Sequence, residues 1–221
     1  MRIAVVGTDT GVGKTVVTAG VTGVLRRDGV DARAIKPYQT GFPPDDDAAF
    51  VRAACDEDAA AATCLGRLEP PLAPRVAAER EGTELDYDDL RTRAADALAA
   101  ADVGVLEGVG GLRVPLTAEH DVLDLVADCG CEALLVARSG LGTLNHTALS
   151  ADALEAAGVP VRGVVLNEWA GETVAERTNP TELERMTGLP VATVPPADID
   201  EPADSVALVD AHLPDSFLPS A

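Results

Sequence analysis

Residues 2–15 read Arg2-Ile3-Ala4-Val5-Val6, then Gly7-Thr8-Asp9-Thr10-Gly11-Val12-Gly13-Lys14-Thr15, and an apolar, Ala- and Val-rich stretch follows to Arg27. A β-branched strand, a Gly-rich turn, a GK[ST] triplet and a helix, in that order, make a phosphate-binding P-loop. Backbone N–H groups of such a turn, together with the helix N-terminus, form a nest for phosphate oxygens. Gly11, Val12, Gly13, Lys14, Thr15 and Val16 are therefore the expected nucleotide contacts. Lys14 neutralises the β- and γ-phosphates in this reading, and the Thr15 hydroxyl ligates Mg²⁺. The spacing departs from GxxxxGK[ST], because five residues separate Gly7 from Gly13 and Thr8 stands where the first Gly would fall. Asp9 and Thr10 occupy the apex, facing the place where a second substrate would meet the γ-phosphate.

Outward from this loop, short β-branched runs alternate with Ala-rich helical stretches. Strands are predicted at 2–6, 31–35, 103–106, 132–136, 161–166 and 190–194, and helices at 14–27, 46–54, 88–101, 119–128, 144–157 and 180–187. Apolar runs without polar alternation belong to strands covered on both faces, hence to a mostly parallel sheet. The expected fold is a P-loop NTPase-like, doubly wound α/β sheet with helices on both faces, forming one domain over 1–221. Residues 65–85, rich in Pro and Glu, read as a surface excursion, and Asp198–Pro202 and the Pro214–Ala221 tail as loops. Ligands of such sheets bind beyond the carboxyl ends of the strands, so chemistry is sought there.

After the second predicted strand comes Lys36-Pro37-Tyr38-Gln39-Thr40-Gly41, then Asp45-Asp46-Asp47-Ala48. Pro37 cannot extend a ladder, which leaves Lys36 at the strand end. One carboxylate near a P-loop serves Mg²⁺, and any of Asp45, Asp46 and Asp47 is available for it. After the third comes Glu107-Gly108-Val109-Gly110-Gly111, a carboxylate beside a P-loop strand and a second Mg²⁺ anchor. After the fourth comes Arg138-Ser139-Gly140-Leu141-Gly142-Thr143-Leu144-Asn145-His146, where Gly142 and Thr143 open a helix whose N–H groups suit a carboxylate or phosphate. Asn167-Glu168 follows the fifth, where a nucleotide base would lie, and Pro195-Pro196 follows the sixth.

The chain of 221 residues has a formal net charge of −20 and a pI near 4.3. Such a surface repels nucleic acid and anionic membranes, which excludes both as main partners. Of 17 basic residues only two are lysines, Lys14 and Lys36, and the other 15 are arginines. An acidic, lysine-poor surface suits strong salt, where counterions screen its self-repulsion. The competing explanation is an acidic protein from a GC-rich genome. No apolar run approaches the ~18–20 residues that span a bilayer, and no leader precedes the first strand, so a cytoplasmic protein is expected. Cys55, Cys64, Cys129 and Cys131 form no CxxC pair and read as free thiols.

Taken together these segments resemble the dethiobiotin synthetase family of ATP- and Mg²⁺-dependent ligases. The resemblance rests on GTDTGVGKT at 7–15, KPYQTG at 36–41, EGVGG at 107–111, GLGTLNH at 140–146 and Asn167, with a weaker match in PLAPRVAAEREG at 71–82. The longer P-loop is the family's own form. The resemblance implies that CO2 adds to 7,8-diaminononanoate (7,8-diaminopelargonate), that ATP phosphorylates the resulting N-carbamate, and that the second amine closes a cyclic urea. It further implies that Lys36, Lys14 and Thr10 are catalytic, with Lys36 on the carbamate. Thr15, Asp47 and Glu107 would gather Mg²⁺; Glu107, Asn167 and Pro195 join the P-loop in holding ATP, with Asn167 on the adenine edge. Thr40 would contact substrate. Gly142, Thr143 and Asn145 would hold the substrate carboxylate from a neighbouring subunit, which implies a homodimer. Asp47 matches because Ala48 follows it, with Asp45 and Asp46 as alternatives; Asn179 is the one C-terminal candidate for substrate contact. The alternatives are a switch-type P-loop ATPase of the partitioning or septum-positioning class, and an ATP-binding paralogue with another ligase substrate. Switch ATPases carry a second lysine early in the loop (KGGxGKT), where this chain has Thr8-Asp9-Thr10.

Overall fold

The computed structural model describes residues 1–219. In chain order its elements are β1 (Arg2–Gly7), α1 (Lys14–Arg27), β2 (Ala32–Lys36), β3 (Gln39–Thr40), α2 (Asp47–Ala54), β4 (Ala62–Cys64), β5 (Arg67–Leu68), α3 (Pro74–Glu81) and α4 (Tyr87–Ala99). These are followed by β6 (Val103–Gly111), α5 (Val122–Asp128), β7 (Glu132–Arg138), α6 (Thr143–Ala156), β8 (Val161–Asn167), α7 (Val174–Thr187), β9 (Val191–Thr193) and α8 (Asp204–His212). Seven strands form one sheet in the order β4-β2-β6-β1-β7-β8-β9, and every pairing in it is parallel. The expected doubly wound α/β architecture is present. A separate two-stranded sheet, β3 with β5, flanks it.

The central strands are buried on both faces because their middles are apolar at successive positions: Ile3–Val6 and Leu134–Ala137 have no solvent exposure. On one face Val17, Val21 and Val24 of α1 and Val209 of α8 pack over Ile3, Val5, Val105 and Val136. On the other, Leu90 and Leu98 of α4, Leu125 of α5, Leu154 of α6 and Leu183 of α7 cover Ala4, Val6, Leu106 and Leu135. Helix α8 lies directly on α1 at Gly20, where a Cβ would stand 2.2 Å from Val209 Cγ2. No side chain larger than hydrogen fits that crossing.

Several boundaries differ from expectation, each for a physical reason. The 65–85 segment is not a plain surface excursion: it contains β5 and α3, and Pro74 opens α3 at its first turn, where no N–H is needed. Ala77 and Ala78 of that helix are buried in the core. Strand β6 runs on to Gly111 instead of ending at 106, so Glu107 lies inside the strand. Helix α7 begins at Val174, well before 180, because Thr173 and Glu176 form a capping box. Pro180 then sits within the helix, and the carbonyl of Glu176 that its absent N–H would have bonded accepts the Trp169 indole N–H at 2.7 Å instead. Edge strand β4 and helix α8 were not expected. The 198–202 segment is irregular, as expected. In the tail, Asp215–Phe217 forms a 3-10 turn that buries Phe217 against Gly163. Ser220 and Ala221, the end of the expected tail, lie outside the described residues.

Candidate active site

A cleft of about 650 Å³ opens at the carboxyl ends of β1, β2, β6 and β8, on the sheet edge where ligands of this architecture gather. Of the residues expected from the sequence, Thr10, Gly11, Gly13, Lys14, Thr15, Val16, Lys36, Thr40, Asp47, Glu107 and Asn167 line it.

At its base lies a charged cluster. Lys36, the last residue of β2, directs its Nζ to Glu107 Oε1 at 2.8 Å and Asp47 Oδ2 at 2.5 Å, and donates to the Gly108 carbonyl at 3.2 Å. The Thr15 hydroxyl donates to the same Glu107 oxygen at 2.8 Å. The adjacency of β2 and β6 brings Lys36 and Glu107 together across 71 residues of chain. Burial alone would pull Lys36 down, but the charges of Glu107 and Asp47 outweigh it and hold the ammonium above its ordinary pKa. Burial pushes Glu107 up, partly offset by Lys36, whereas for Asp47 the attraction of Lys36 overcomes burial and its pKa falls. A protonated Lys36 between an ionised Asp47 and a carboxyl that resists ionisation fits this arrangement.

The three aspartates at the start of α2 have different tasks. Asp46 caps the helix, accepting from the Ala49 amide at 2.9 Å, and pairs with Arg67. Asp45 lines the cleft beside Gly41, and only Asp47 reaches Lys36.

Above the cluster the P-loop curls over the N-terminus of α1. Gly13 caps that helix with φ of 96°, and Gly11 also has a positive φ of 68°. Both conformations are open to glycine and costly to residues bearing a Cβ. At Gly13 a Cβ would in addition lie 2.1 Å from Asn167 Nδ2. Lys14 Nζ bonds to the Asp9 carbonyl at 2.9 Å, and burial, reinforced by the charge of Lys36, lowers its pKa to about 8. Asn167 closes β8 and donates to the Val12 carbonyl at 3.2 Å.

Other expected residues lie elsewhere. Val12 is buried behind the loop, and Pro195 does not line the cleft. Gly142, Thr143 and Asn145, at the start of α6, are also outside it. Gly142 caps α6 with φ of 92°, but the Thr143 hydroxyl is turned inward onto Thr147 at 3.2 Å and makes no cap. Leu141 beside them is 94% exposed. Asn179 is buried and donates to the carbonyls of Ser139 and Gly140, which anchors the loop before α6 and leaves the side chain no part in the cleft. Tyr38, Val109, Gly110, Val114, Glu168 and the Pro71–Ala73 segment line the cleft without having been singled out as contacts. The PLAP match at 71–74 was the available signal for the last of these.

A parallel sheet whose first strand feeds a phosphate nest, with a buried lysine and two carboxylates at the next strand ends, defines a P-loop nucleotide-dependent protein. Comparisons with known proteins narrow this class. The family model described as an AAA domain matches residues 1–201. The ATP-dependent dethiobiotin synthetase BioD of Haloferax mediterranei is 60% identical over 211 residues, covering 96% of this chain and 90% of that protein. The BioD of Aquifex aeolicus is 33% identical, covering 92% and 93% respectively. The chain belongs to the ATP-dependent dethiobiotin synthetase family. Among solved structures, a ParA family ATPase from Chlorobium tepidum matches with a TM-score of 0.62 at 12% identity, over 95% of this chain and 92% of that one. The septum site-determining protein MinD of Pyrococcus horikoshii, complexed with Mg-ADP, matches at 0.59 and 20% identity over 95% and 87%. These two likenesses are of fold.

Proposed function

We propose that the cleft makes dethiobiotin from 7,8-diaminononanoate, CO2 and ATP, releasing ADP and phosphate. The observation that carries this reading is the juxtaposition, in one cleft, of the P-loop lysine and a second, buried lysine held by Asp47 and Glu107. One amine of the substrate adds to CO2 and loses a proton, giving a carbamate anion. A carbamate oxygen attacks the γ-phosphorus and ADP leaves, which forms a carbamic-phosphoric anhydride. The second amine then attacks the carbonyl carbon, phosphate departs, a proton is lost and the cyclic urea closes.

No side-chain nucleophile is required, because the reaction joins two anions and its difficulty is charge and alignment. Lys36 holds the carbamate and Lys14 reaches toward the γ-phosphate, with Thr10 and Thr40 donating to the oxygens between them. Gly11, Val12, Gly13, Thr15 and Val16 hold the phosphates; Asn167 reads the adenine edge, with Pro195 and Glu107 as the further ATP contacts. Alignment of two bound reactants contributes about 7–11 kcal/mol to such a step.

The donors around Thr15 fit Mg²⁺ in kind: one hydroxyl and the carboxylates of Asp47 and Glu107, all hard oxygens. Among the described residues no cluster of three or more His, Cys, Asp or Glu is poised to hold a metal. Two carboxylates with phosphate and water oxygens is the usual Mg²⁺ arrangement beside a nucleotide. Once bound, the ion neutralises phosphate charge.

In this reading the whole chain, 1–221, is one synthetase domain acting as a homodimer. Gly142, Thr143 and Asn145 of each protomer reach the substrate carboxylate in its partner's cleft, which accounts for their position outside their own. The proposed setting is a salt-rich cytoplasm, with neither nucleic acid nor membrane as partner; among the described residues no helix is long and apolar enough to cross a membrane.

The test is ATP hydrolysis in high KCl with and without the diamine and bicarbonate, with mass spectrometry of the product. Stimulation by the diamine together with a cyclic-urea mass supports the reading. Hydrolysis indifferent to the diamine points to a switch ATPase, and stimulation only by another amine points to a paralogous ligase.

A further inference from the structure

Strands β7 and β8 end level with each other, with Arg138 opposite Asn167 as the last pair of the register. Both of these strand-end side chains turn back onto the P-loop. Arg138 Nη2 donates to the Thr10 carbonyl at 3.1 Å, and Asn167 Nδ2 donates to the Val12 carbonyl at 3.2 Å. Two neighbouring strands thus hold alternate carbonyls of one loop, across 128 and 155 residues of chain.

The consequence follows from the planarity of the peptide unit. In a trans peptide the C=O and N–H of the same unit point in opposite directions. The Thr10 carbonyl shares its unit with the Gly11 amide, and the Val12 carbonyl shares its unit with the Gly13 amide. Drawing the two carbonyls toward β7 and β8 aims the two amides the other way. Both glycines line the cleft, and their positive φ values make the succession of backbone conformations that builds an anion nest. A glycine loop is also the backbone most able to rotate such a unit, and a rotated unit would present a carbonyl oxygen to the phosphate. Arg138 has a second contact, its Nη2 lying 3.9 Å from Asp9 Oδ2, where both side chains are mostly exposed.

We propose that Arg138 is a positioning residue for nucleotide binding: by bonding the Thr10 carbonyl it keeps the Gly11 amide turned toward the phosphates, as Asn167 does for Gly13. This rests on the P-loop taking ATP, and it adds a residue that contacts neither phosphate nor substrate. Because the bond has an ionised donor, its loss is expected to weaken ADP and ATP binding roughly tenfold.

The experiment compares Arg138→Met, Arg138→Lys, Asp9→Asn and the Arg138→Met/Asp9→Asn pair, using protein labelled with ¹⁵N-glycine. Mg-ADP titrations give affinity by calorimetry and the Gly11 and Gly13 amide shifts by NMR. Arg138→Met is expected to keep the thermal midpoint without nucleotide, lose about tenfold in ADP affinity, and show a reduced ADP-induced shift at Gly11 with that at Gly13 retained. Arg138→Lys, which can still donate one bond, recovers part of both. Wild-type affinity with an intact Gly11 response in Arg138→Met overturns the proposal. So does full rescue by Asp9→Asn, which would mean that Arg138 only masks the Asp9 charge. If binding by the unaltered protein is itself absent, the ATP reading fails rather than the role of Arg138.

Discussion

Replacing Lys36 by methionine keeps most of the side-chain stem and removes the one ammonium group between Glu107 and Asp47. Glu107 is 2% exposed and Lys36 6%, so the carboxylate left behind has almost no access to water. Removing one partner of a buried ion pair costs about 3–5 kcal/mol. For a chain of this size each 1 kcal/mol moves Tm by ~2–4 °C, so the midpoint at pH 8 is expected to fall by ~6–20 °C. The deficit should depend on pH with a definite sign. Burial already raises Glu107 above the usual carboxylate pKa, and without Lys36 it rises further, so acid neutralises the stranded group. Asp47 adds to the deficit but not to this slope: its depressed pKa means that its pairing with Lys36 stabilises the native protein at every pH above the ordinary carboxylate pKa and is lost only below it, so the change between pH 8 and pH 5 comes from Glu107. The gap between variant and unaltered protein is therefore wide at pH 8 and narrows toward pH 5. Thermal unfolding in metal-free buffer at fixed KCl measures it, while calorimetry and turnover separate binding from chemistry. ATP binding should survive largely intact and kcat should drop by roughly 10²–10³, the usual loss when a charge-stabilising donor is removed. A midpoint unchanged at pH 8, or a gap that widens on acidification, would refute the electrostatic argument; near-normal turnover would refute the carbamate role.

Gly13→Ala places a Cβ 2.1 Å from Asn167 Nδ2 at a φ of 96°, so it should abolish measurable ATP binding while the far strands keep their hydrogen-exchange protection. With a net charge of −20, the midpoint should climb as KCl is raised from about 0.1 M to molar levels, where the Debye length contracts to ~3 Å; a flat or falling curve would remove the high-salt reading. Lys36→Ala and Asn145→Ala should each be inactive alone. After mixing and subunit exchange they should regain activity, because one cleft of the mixed dimer then has both an intact Lys36 and a partner's intact Asn145. No recovery in a verified heterodimer would mean that the substrate site lies within one chain.

Much of this organisation was legible in linear order. The P-loop is local: its glycines, Lys14 and Thr15 lie within nine residues, so their pattern can be read without any distant partner. Lys36 stood out because lysine is otherwise absent outside the P-loop, and Pro37 marked where its strand ends. The less legible features depend on distant partners. Pro180 argues against a helix until the Trp169 indole is found bonding the carbonyl it leaves free. Helix α8 is weakly patterned alone and is seated by Gly20, which lies far upstream. The 71–73 segment reads as a Pro-rich surface loop, yet the small β3–β5 sheet folds it over the cleft.

The class of fold and the chemistry of the nest follow from linear order, since hydrophobic period, glycine freedom and the P-loop are properties of neighbouring residues. Which of three adjacent aspartates meets Lys36, that Glu107 lies within a strand, and that Asn167 and Arg138 bond carbonyls of the P-loop emerge from the folded arrangement alone. Strand order is the physical reason. Placing β6 beside β2, and β7 and β8 on the other side of β1, sets charges and donors from distant segments within bonding distance. No spacing along the chain encodes those distances.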